Sequence, residues 1–217
     1  MLNTIKISRS KRIVSVYCST MRIIAGAKRG MKLYSPKTQV SRPITDRVKE
    51  SLFSVLYKYD LPGGKRIADL FSGVGSLGLE ALSRGAVSVT FVEKDPKITA
   101  TLKKNIEKSG FVKKSKVIKA DAFNVGAPIN EKGYDLVFVD PPYARTSDVG
   151  RDSPLSRLLD VLQQQVSPDG IVAVRTNERT ELLDRYNEFQ VIDRRKWGTM
   201  AVTILQREAN DKQTGSY

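Results

Sequence analysis

The sequence contains no histidine. Histidine triads, histidine general bases and nearly every zinc or non-haem iron site are thereby excluded. A single cysteine, Cys18, allows no internal disulfide and no cysteine metal cluster. No apolar run approaches the ~18 residues that a helical membrane span needs. Acidic residues are missing from the first stretch of the chain. From Met1 to Thr45 there are 10 Lys and Arg and no acid, Asp46 being the first. Any chemistry must therefore rest on carboxylates, backbone groups, Tyr, Ser, Thr, Lys, Arg or an organic cofactor.

What is present describes a folded globular protein. The chain has 217 residues, 40% hydrophobic and 28% charged, enough for one sizeable core. The formal charge is +14, yet beyond Thr45 the balance is only 27 basic against 23 acidic residues. A basic excess gathered at one end is the electrostatic footprint of a polyanion binder, and nucleic acid is the expected partner. Residues 1–20 are basic, rich in Ser and Thr and free of acids, which fits an organellar transit peptide or a plain extension.

The periodicity predicts a hairpin over 21–36, then a helix after Pro43 with Val48, Leu52, Val55, Leu56 and Tyr59 on one face. Strands at 66–71, 87–92, 116–120, 134–139 and 171–175 alternate with helices at 76–84, 96–110 and 154–166. A turn at 167–170, a helix near 178–186 and two strands around Trp197-Gly198 complete the pattern. The expected fold is a doubly wound, mostly parallel seven-stranded α/β sheet with one antiparallel strand and a small N-terminal hairpin. The expected divisions are a basic extension at 1–20, a hairpin and helix at 21–60, the main α/β domain at 61–207 and a frayed tail at 208–217. In such sheets ligands bind outside the carboxyl ends of the strands.

The chemistry-bearing residues fall there. After the first strand comes DLFSGVGSLG, residues 69–78, a GxGxxG loop opening a helix. Glu93 ends the second strand, where an acid can accept from both hydroxyls of a ribose. Asp121 ends the third, where a carboxylate can face an adenine amine or simply cap a helix. Three such positions on successive strands describe a pocket for an adenosine-containing cofactor. Asp140-Pro141-Pro142-Tyr143 follows the fourth strand. The prolines fix the turn and lack N–H groups, so Asp140 and the Pro141 carbonyl can both accept from one amino group. Tyr143 offers a face on which a base can stack. Two acceptors on an exocyclic amine draw it toward tetrahedral geometry and free its lone pair for attack. Read from the residues alone, a methyltransferase of a purine amine (a DNA or RNA adenine-N6 enzyme among them), an NAD-type oxidoreductase and a non-catalytic RNA-binding assembly factor stay open. The oxidoreductase leaves residues 140–143 unexplained.

The series DLFSGVGSLGLEALSRGA, VE, DA and FVDPPY resembles the S-adenosylmethionine-dependent amino-methyltransferases with their (N/D/S)PP(Y/F) motif. MRIIAGAKRGMKL and RPITDRVKESLFSVL are similar to the start of the RsmD-like family, which methylates guanine N2 in small-subunit ribosomal RNA. The resemblance runs from Met21 to about Arg207. It implies S-adenosyl-L-methionine as cofactor, with Asp69, Ser72, Gly73 and Gly75 in the loop beneath its methionine and ribose. It implies Glu93 at the ribose, Asp121 and Ala122 at the adenine, and Asp140, Pro141 and Tyr143 at the methyl acceptor. Residues 42–47 match the family's lid. The implied partner is ribosomal RNA or a small-subunit assembly particle. A cytoplasmic bacterial monomer is expected, with no metal and no membrane, or an organellar protein if residues 1–20 are a transit peptide. Arg22, Lys28, Arg29 and Lys32, together with Arg145 and Arg151 in the 145–154 loop, are the expected RNA contacts. Residues 194–197 could either touch RNA or guard an edge strand.

Overall fold

The computed structural model describes residues 21–36, 44–128 and 132–208. In chain order its elements are α1 (Asp46–Tyr57), β1 (Arg66–Leu70), α2 (Ser76–Ser83), β2 (Ser88–Val92), α3 (Pro96–Ser109) and β3 (Ser115–Ile118). They continue with α4 (Ala122–Val125), β4 (Tyr134–Val139), α5 (Pro154–Leu162), β5 (Val166–Asn177), β6 (Arg185–Tyr186), β7 (Phe189–Trp197) and β8 (Met200–Arg207). The strands form one eight-stranded sheet in the order β3-β2-β1-β4-β5-β8-β7-β6. From β3 to β5 the pairings are parallel, and β8, β7 and β6 add antiparallel.

A sheet buried on both faces needs strands that are apolar on both faces. β4 meets that demand: Leu136 and Phe138 enter one core, Val137 and Val139 the other. The first core also takes Leu52, Phe53 and Leu56 of α1, Leu79 of α2 and Leu102 of α3. The second takes Leu155, Leu158, Leu159 and Leu162 of α5. Ile23 and Leu33 share the first core with Ile67 of β1, so the segment before β1 packs as part of the same body. Each fully buried Leu or Phe side chain contributes about 1.5–3 kcal/mol of hydrophobic stabilisation.

Local signals place the helices. Asp95 accepts from Lys97 N and Ile98 N, Pro96 opens α3, and Gly110 closes it at φ 76°. Thr45 caps α1, which ends before Tyr59. Four features differ from the sequence pattern. The hairpin has one bridged pair, Arg22 with Lys32, and a tight 3₁₀ turn at Gly26–Lys28. That turn is docked on α2: Lys28 N donates to Ser83 Oγ at 2.9 Å, and Ser83 Oγ donates to Ala25 O at 2.5 Å. α5 stops at Leu162 because Gln165 turns aside, its amide joining Ala127 N and Val125 O. The turn at 167–170 is absorbed into β5, where the pairing with β4 shifts register. The helix expected near 178–186 does not form. Tyr186 instead donates to Val149 O at 2.7 Å and accepts from Leu183 N, while Arg194 holds Leu182 O. Residues 185–186 then pair with β7 as an eighth strand, one more than expected.

One buried carboxylate joins three elements. Glu80 of α2 is fully buried and accepts from Ile24 N at 2.8 Å and Ala25 N at 3.0 Å. It also pairs with Arg84 at 2.8 Å and with Lys49 of α1 at 3.3 Å. Lys49 is itself buried; it donates to Arg22 O at 2.6 Å and Ser76 Oγ at 3.3 Å. Burial lowers the Lys49 pKa, and Glu80 opposes that shift. Removing one partner of such a pair strands the other, so Glu80→Ala is expected to cost about 3–5 kcal/mol. Urea unfolding at neutral pH measures it, and a loss under 1 kcal/mol (about one typical hydrogen bond) would show that the pair is not a structural anchor.

Candidate active site

The loop after β1 is shaped by residues with positive φ: Phe71 at 58°, Gly73 at 54° and Gly75 at 89°. Asp69, buried at the end of β1, accepts from Gly78 N at 2.8 Å and so ties α2 to the strand. A Cβ at Gly78 would overlap the Phe91 ring, which is why this position of the motif is glycine. Gly73 has open space where a Cβ would stand. Its N–H donates to Glu93 Oε2 at 2.9 Å, and Asp95 N donates to Glu93 Oε1 at 2.9 Å. Glu93 therefore holds the loop as well as facing it. From α3, the buried Asn105 donates to Val74 O at 3.0 Å and to Tyr34 O at 3.1 Å.

At the end of β3, Asp121 caps α4 by accepting from Phe123 N at 3.1 Å, and its other oxygen is 3.6 Å from Lys94 Nζ. Ala122 is the buried first residue of α4. Phe123 packs against Phe71 with ring centroids 4.8 Å apart, and the Arg145 guanidinium lies 4.6 Å from the Phe123 centroid. This stack joins three strand ends. Phe123 escapes a search for acids and glycines, but an aromatic residue two places after a strand-ending acid is a usable signal.

Beyond β4, Asp140 N donates to Leu70 O at 3.4 Å, joining this turn to β1. Pro141 is buried, Pro142 is exposed, and the half-buried Tyr143 opens a short 3₁₀ turn closed by Thr146 N on Tyr143 O. Val139 is paired with Val174 of β5, so the next residues, Asp140 and Arg175, lie side by side. Arg175 Nε is 2.5 Å from Asp140 Oδ1. Arg175 was absent from the sequence-based site, although a charge ending the apolar run IVAVR obeys the same strand-end rule as the acids.

The electrostatics are those of crowded, dry carboxylates. Burial pushes Asp69 well above the usual carboxylate range; the Gly78 N–H opposes this, and the neighbouring Asp140 and Glu93 add to it. Burial also raises Asp140, while Arg175 pulls it back. Ser72 Oγ, Thr176 Oγ1 and Glu178 Oε2 are buried without a hydrogen-bond partner among the described residues. Buried polar atoms of this kind call for a partner, water or ligand.

Asp69, Ser72, Gly73, Gly75, Glu93 and Asp140 are thus brought together around the end of β1, with Asp121 and Ala122 reached through Phe123. The expected RNA contacts form two groups. Arg22, Lys28, Arg29 and Lys32 are exposed near the N-terminal turn, Arg22 being paired with Asp46 at 2.7 Å. Arg145 and Arg151 are exposed in the loop that follows Tyr143. Arg42 and Pro43 of the lid pattern lie outside the described residues, as do 1–20; Ile44, Thr45, Asp46 and Arg47 lead into and begin α1. A separate cleft of about 620 Å³ is lined by Tyr34, Ser35, Pro36, Thr101, Lys104, Glu107 and Lys108, none of them a strand-end residue.

Comparison with known proteins adds to this geometry. The family model described as conserved hypothetical protein 95 matches residues 21–206. A Bacillus subtilis protein named "Putative rRNA methyltransferase YlbH" is 32% identical over 191 residues, covering 86% of this chain and 99% of its own. Ribosomal RNA small subunit methyltransferase D of Haemophilus influenzae is 42% identical over 125 residues, 57% of this chain and 64% of that protein. A solved structure titled "Putative methyltransferase yhhF from Escherichia coli" aligns with a TM-score of 0.73 at 28% identity, over 88% of this chain and 99% of that one.

The raised pKa of Asp69 has a consequence for stability. In the window between the ordinary carboxylate range and its raised folded value, the native state binds more protons than the unfolded state. Stability from this group is therefore present at low pH and lost as pH rises through that window. Asp69→Asn keeps an acceptor for Gly78 N–H and removes the titration. It is expected to match the parent protein at the acid end of the window and exceed it at neutral pH. Urea unfolding across a pH series checks this; equal stability at every pH would mean that Asp69 carries no such burden.

Proposed function

The chain belongs to the conserved hypothetical protein 95 family, and from that membership we propose that it is an S-adenosyl-L-methionine-dependent methyltransferase acting on guanine N2 in small-subunit ribosomal RNA. The observation that carries the reading is the Asp140-Pro141-Pro142-Tyr143 turn at the end of the central strand, joined through Asp140 N to Leu70 O at the end of β1, where the glycine loop begins.

The residues present fit the cofactor. Gly73 borders open space, Glu93 lies beside it, and Ser72 offers a buried hydroxyl in want of a partner. Glu93 would take the ribose hydroxyls and Phe123 would pack against the adenine, with Asp121 and Ala122 at its edge. Ser72 and its loop would carry the methionine end. When bound, S-adenosyl-L-methionine supplies an electrophilic methyl group. Asp140 and the Pro141 carbonyl accept the two hydrogens of the guanine amine and turn its lone pair outward. Tyr143 stacks on the base and fixes its plane. The protein's contribution is alignment and electrostatics, and no side chain forms a covalent bond.

Ribosomal RNA fits the exposed cations. Lys28, Arg29 and Lys32 stand on the N-terminal turn, and Lys108 Nζ donates to Lys32 O at 2.7 Å. Lys108 also lies 4.5 Å from the centroid of Tyr34, whose ring is 52% exposed at the edge of the 620 Å³ cleft. Phosphate-binding cations around an accessible aromatic face are the usual means of holding single-stranded RNA. A bacterial ribosomal substrate also fits action in the cytoplasm.

The decisive experiment incubates the protein and labelled S-adenosyl-L-methionine with unmodified small-subunit RNA or assembly particles, followed by nucleoside mass spectrometry. N2-methylguanosine is expected, and N6-methyladenosine alone would replace the substrate assignment. Asp140→Ala is expected to lower the rate on the order of a hundredfold or more with cofactor affinity unchanged in calorimetry. A fully active Asp140→Ala protein would overturn the amine-transfer reading.

RNA affinity across a salt series tests the basic face. Each phosphate contact removed should reduce the slope of log affinity against log salt by about 0.7–0.9. Replacing Lys28, Arg29 and Lys32 together is expected to weaken binding and flatten the slope, with cofactor affinity unchanged. Removing residues 1–20 is expected to do less. The opposite ranking would move the RNA contact to that extension.

A further inference from the structure

The proposed reaction, on which this inference rests, needs Asp140 in one protonation state. A carboxylate accepts hydrogen bonds through both oxygens, whereas a carboxylic acid commits one oxygen as a donor. Facing an amine that directs one N–H at Asp140 and the other at the Pro141 carbonyl, the acid form sets a donor where an acceptor is needed. The surroundings favour that wrong form. Asp140 is largely buried, and burial raises its pKa; Asp69, on the adjoining strand β1, is a second buried carboxylate, itself pushed further up by Asp140. Glu93 acts on Asp69 from the end of β2. The charged group paired with Asp140 is Arg175, and the acid coupled to it is Asp69.

Arg175 sits at the carboxyl end of β5, one residue beyond the Val139–Val174 pair, with its side chain only 10% exposed. Its Nε is 2.5 Å from Asp140 Oδ1. A guanidinium stays charged at every working pH, so its influence does not titrate away. We propose that Arg175 is a positioning residue for the methyl-acceptor site, holding Asp140 ionised through Oδ1 so that Oδ2 is presented to the amine. An asparagine at position 140 would need no such partner; an aspartate there does. Arg175 acts through Asp140, the residue its Nε contacts. Its role is to fix the charge and the rotamer of that residue.

The test reads Asp140 directly. The Asp140 carboxyl is followed by ¹³C NMR through a pH titration, its resonance assigned by its absence in Asp140→Asn, for the parent chain, Arg175→Gln and Arg175→Lys. The pH profile of kcat/KM for methyl transfer is measured beside it. In the parent chain the midpoint is expected below neutrality. In Arg175→Gln it should rise by about one to three pH units, the effect of losing an adjacent opposite charge. The acidic limb of the rate profile should move with it, and much of the rate should return at high pH. Arg175→Lys keeps the charge, so its midpoint should stay near that of the parent, with a reduced rate from the lost fork geometry.

A midpoint unmoved in Arg175→Gln, with the rate reduced equally at every pH, would overturn the proposal by showing a merely structural role. Should that variant not fold, the parent chain and Arg175→Lys still decide. A parent midpoint above neutrality, or a lysine variant displaced from it by more than one unit, overturns the proposal as well. Failure of the methyltransferase reading looks different: the parent chain transfers no methyl group to RNA while the Asp140 midpoint still follows the charge at position 175.

Discussion

The arrangement of this protein depends on one buried carboxylate. Glu80 is sealed from solvent and accepts from the backbone of residues 24 and 25, from Arg84 and from Lys49. Those partners come from the N-terminal turn, from α1 and from α2 itself. Taking a carboxylate out of water is expensive, and only a complete set of donors makes it tolerable. Docking of the N-terminal turn and closure of α1 over the sheet are therefore one event. Lys49 extends the same network to Ser76, the first residue of α2, immediately after the glycine loop. The element carrying the exposed cations is in this way built into the support of the loop.

Legibility in the sequence followed the distance over which the deciding contacts act. α3 was readable end to end because Asp95, Pro96 and Gly110 are all local. β4 was readable because the run of residues 136–139, apolar on both faces, has one use in a doubly wound sheet. Segment 178–186 was not, since the groups that hold it extended are Val149 and Arg194, both remote in sequence. Glu80 looked like an ordinary polar position on a short helix; its partners lie up to 56 residues away.

The candidate site was legible in the same uneven way. Strand-end acids and the double proline announce themselves by type and place. Of the two readings open to Asp121, the structure shows the helix cap, since Asp121 accepts from Phe123 N at the start of α4. The interactions that tune these groups were hidden. The pairing of Asp140 with Arg175 depends on β5 lying next to β4, and the stack of Phe71, Phe123 and Arg145 depends on three separate turns meeting. Residue types at strand ends tell where chemistry sits. Which neighbours set its charge is decided by strand order.

The two outer strands of the sheet have a consequence for how the molecule behaves in company. A free strand edge offers unpaired backbone groups to any other chain. β3 ends the sheet on one side, and it carries the exposed Lys116 with Lys113, Lys114 and Lys119 close by. A second copy adding itself to that edge would press lysine against lysine. β6 ends the other side with only two residues, too short a template for another strand to grip. The same abundance of lysine that suits a polyanion thus also discourages copies of the protein from zipping together at high concentration.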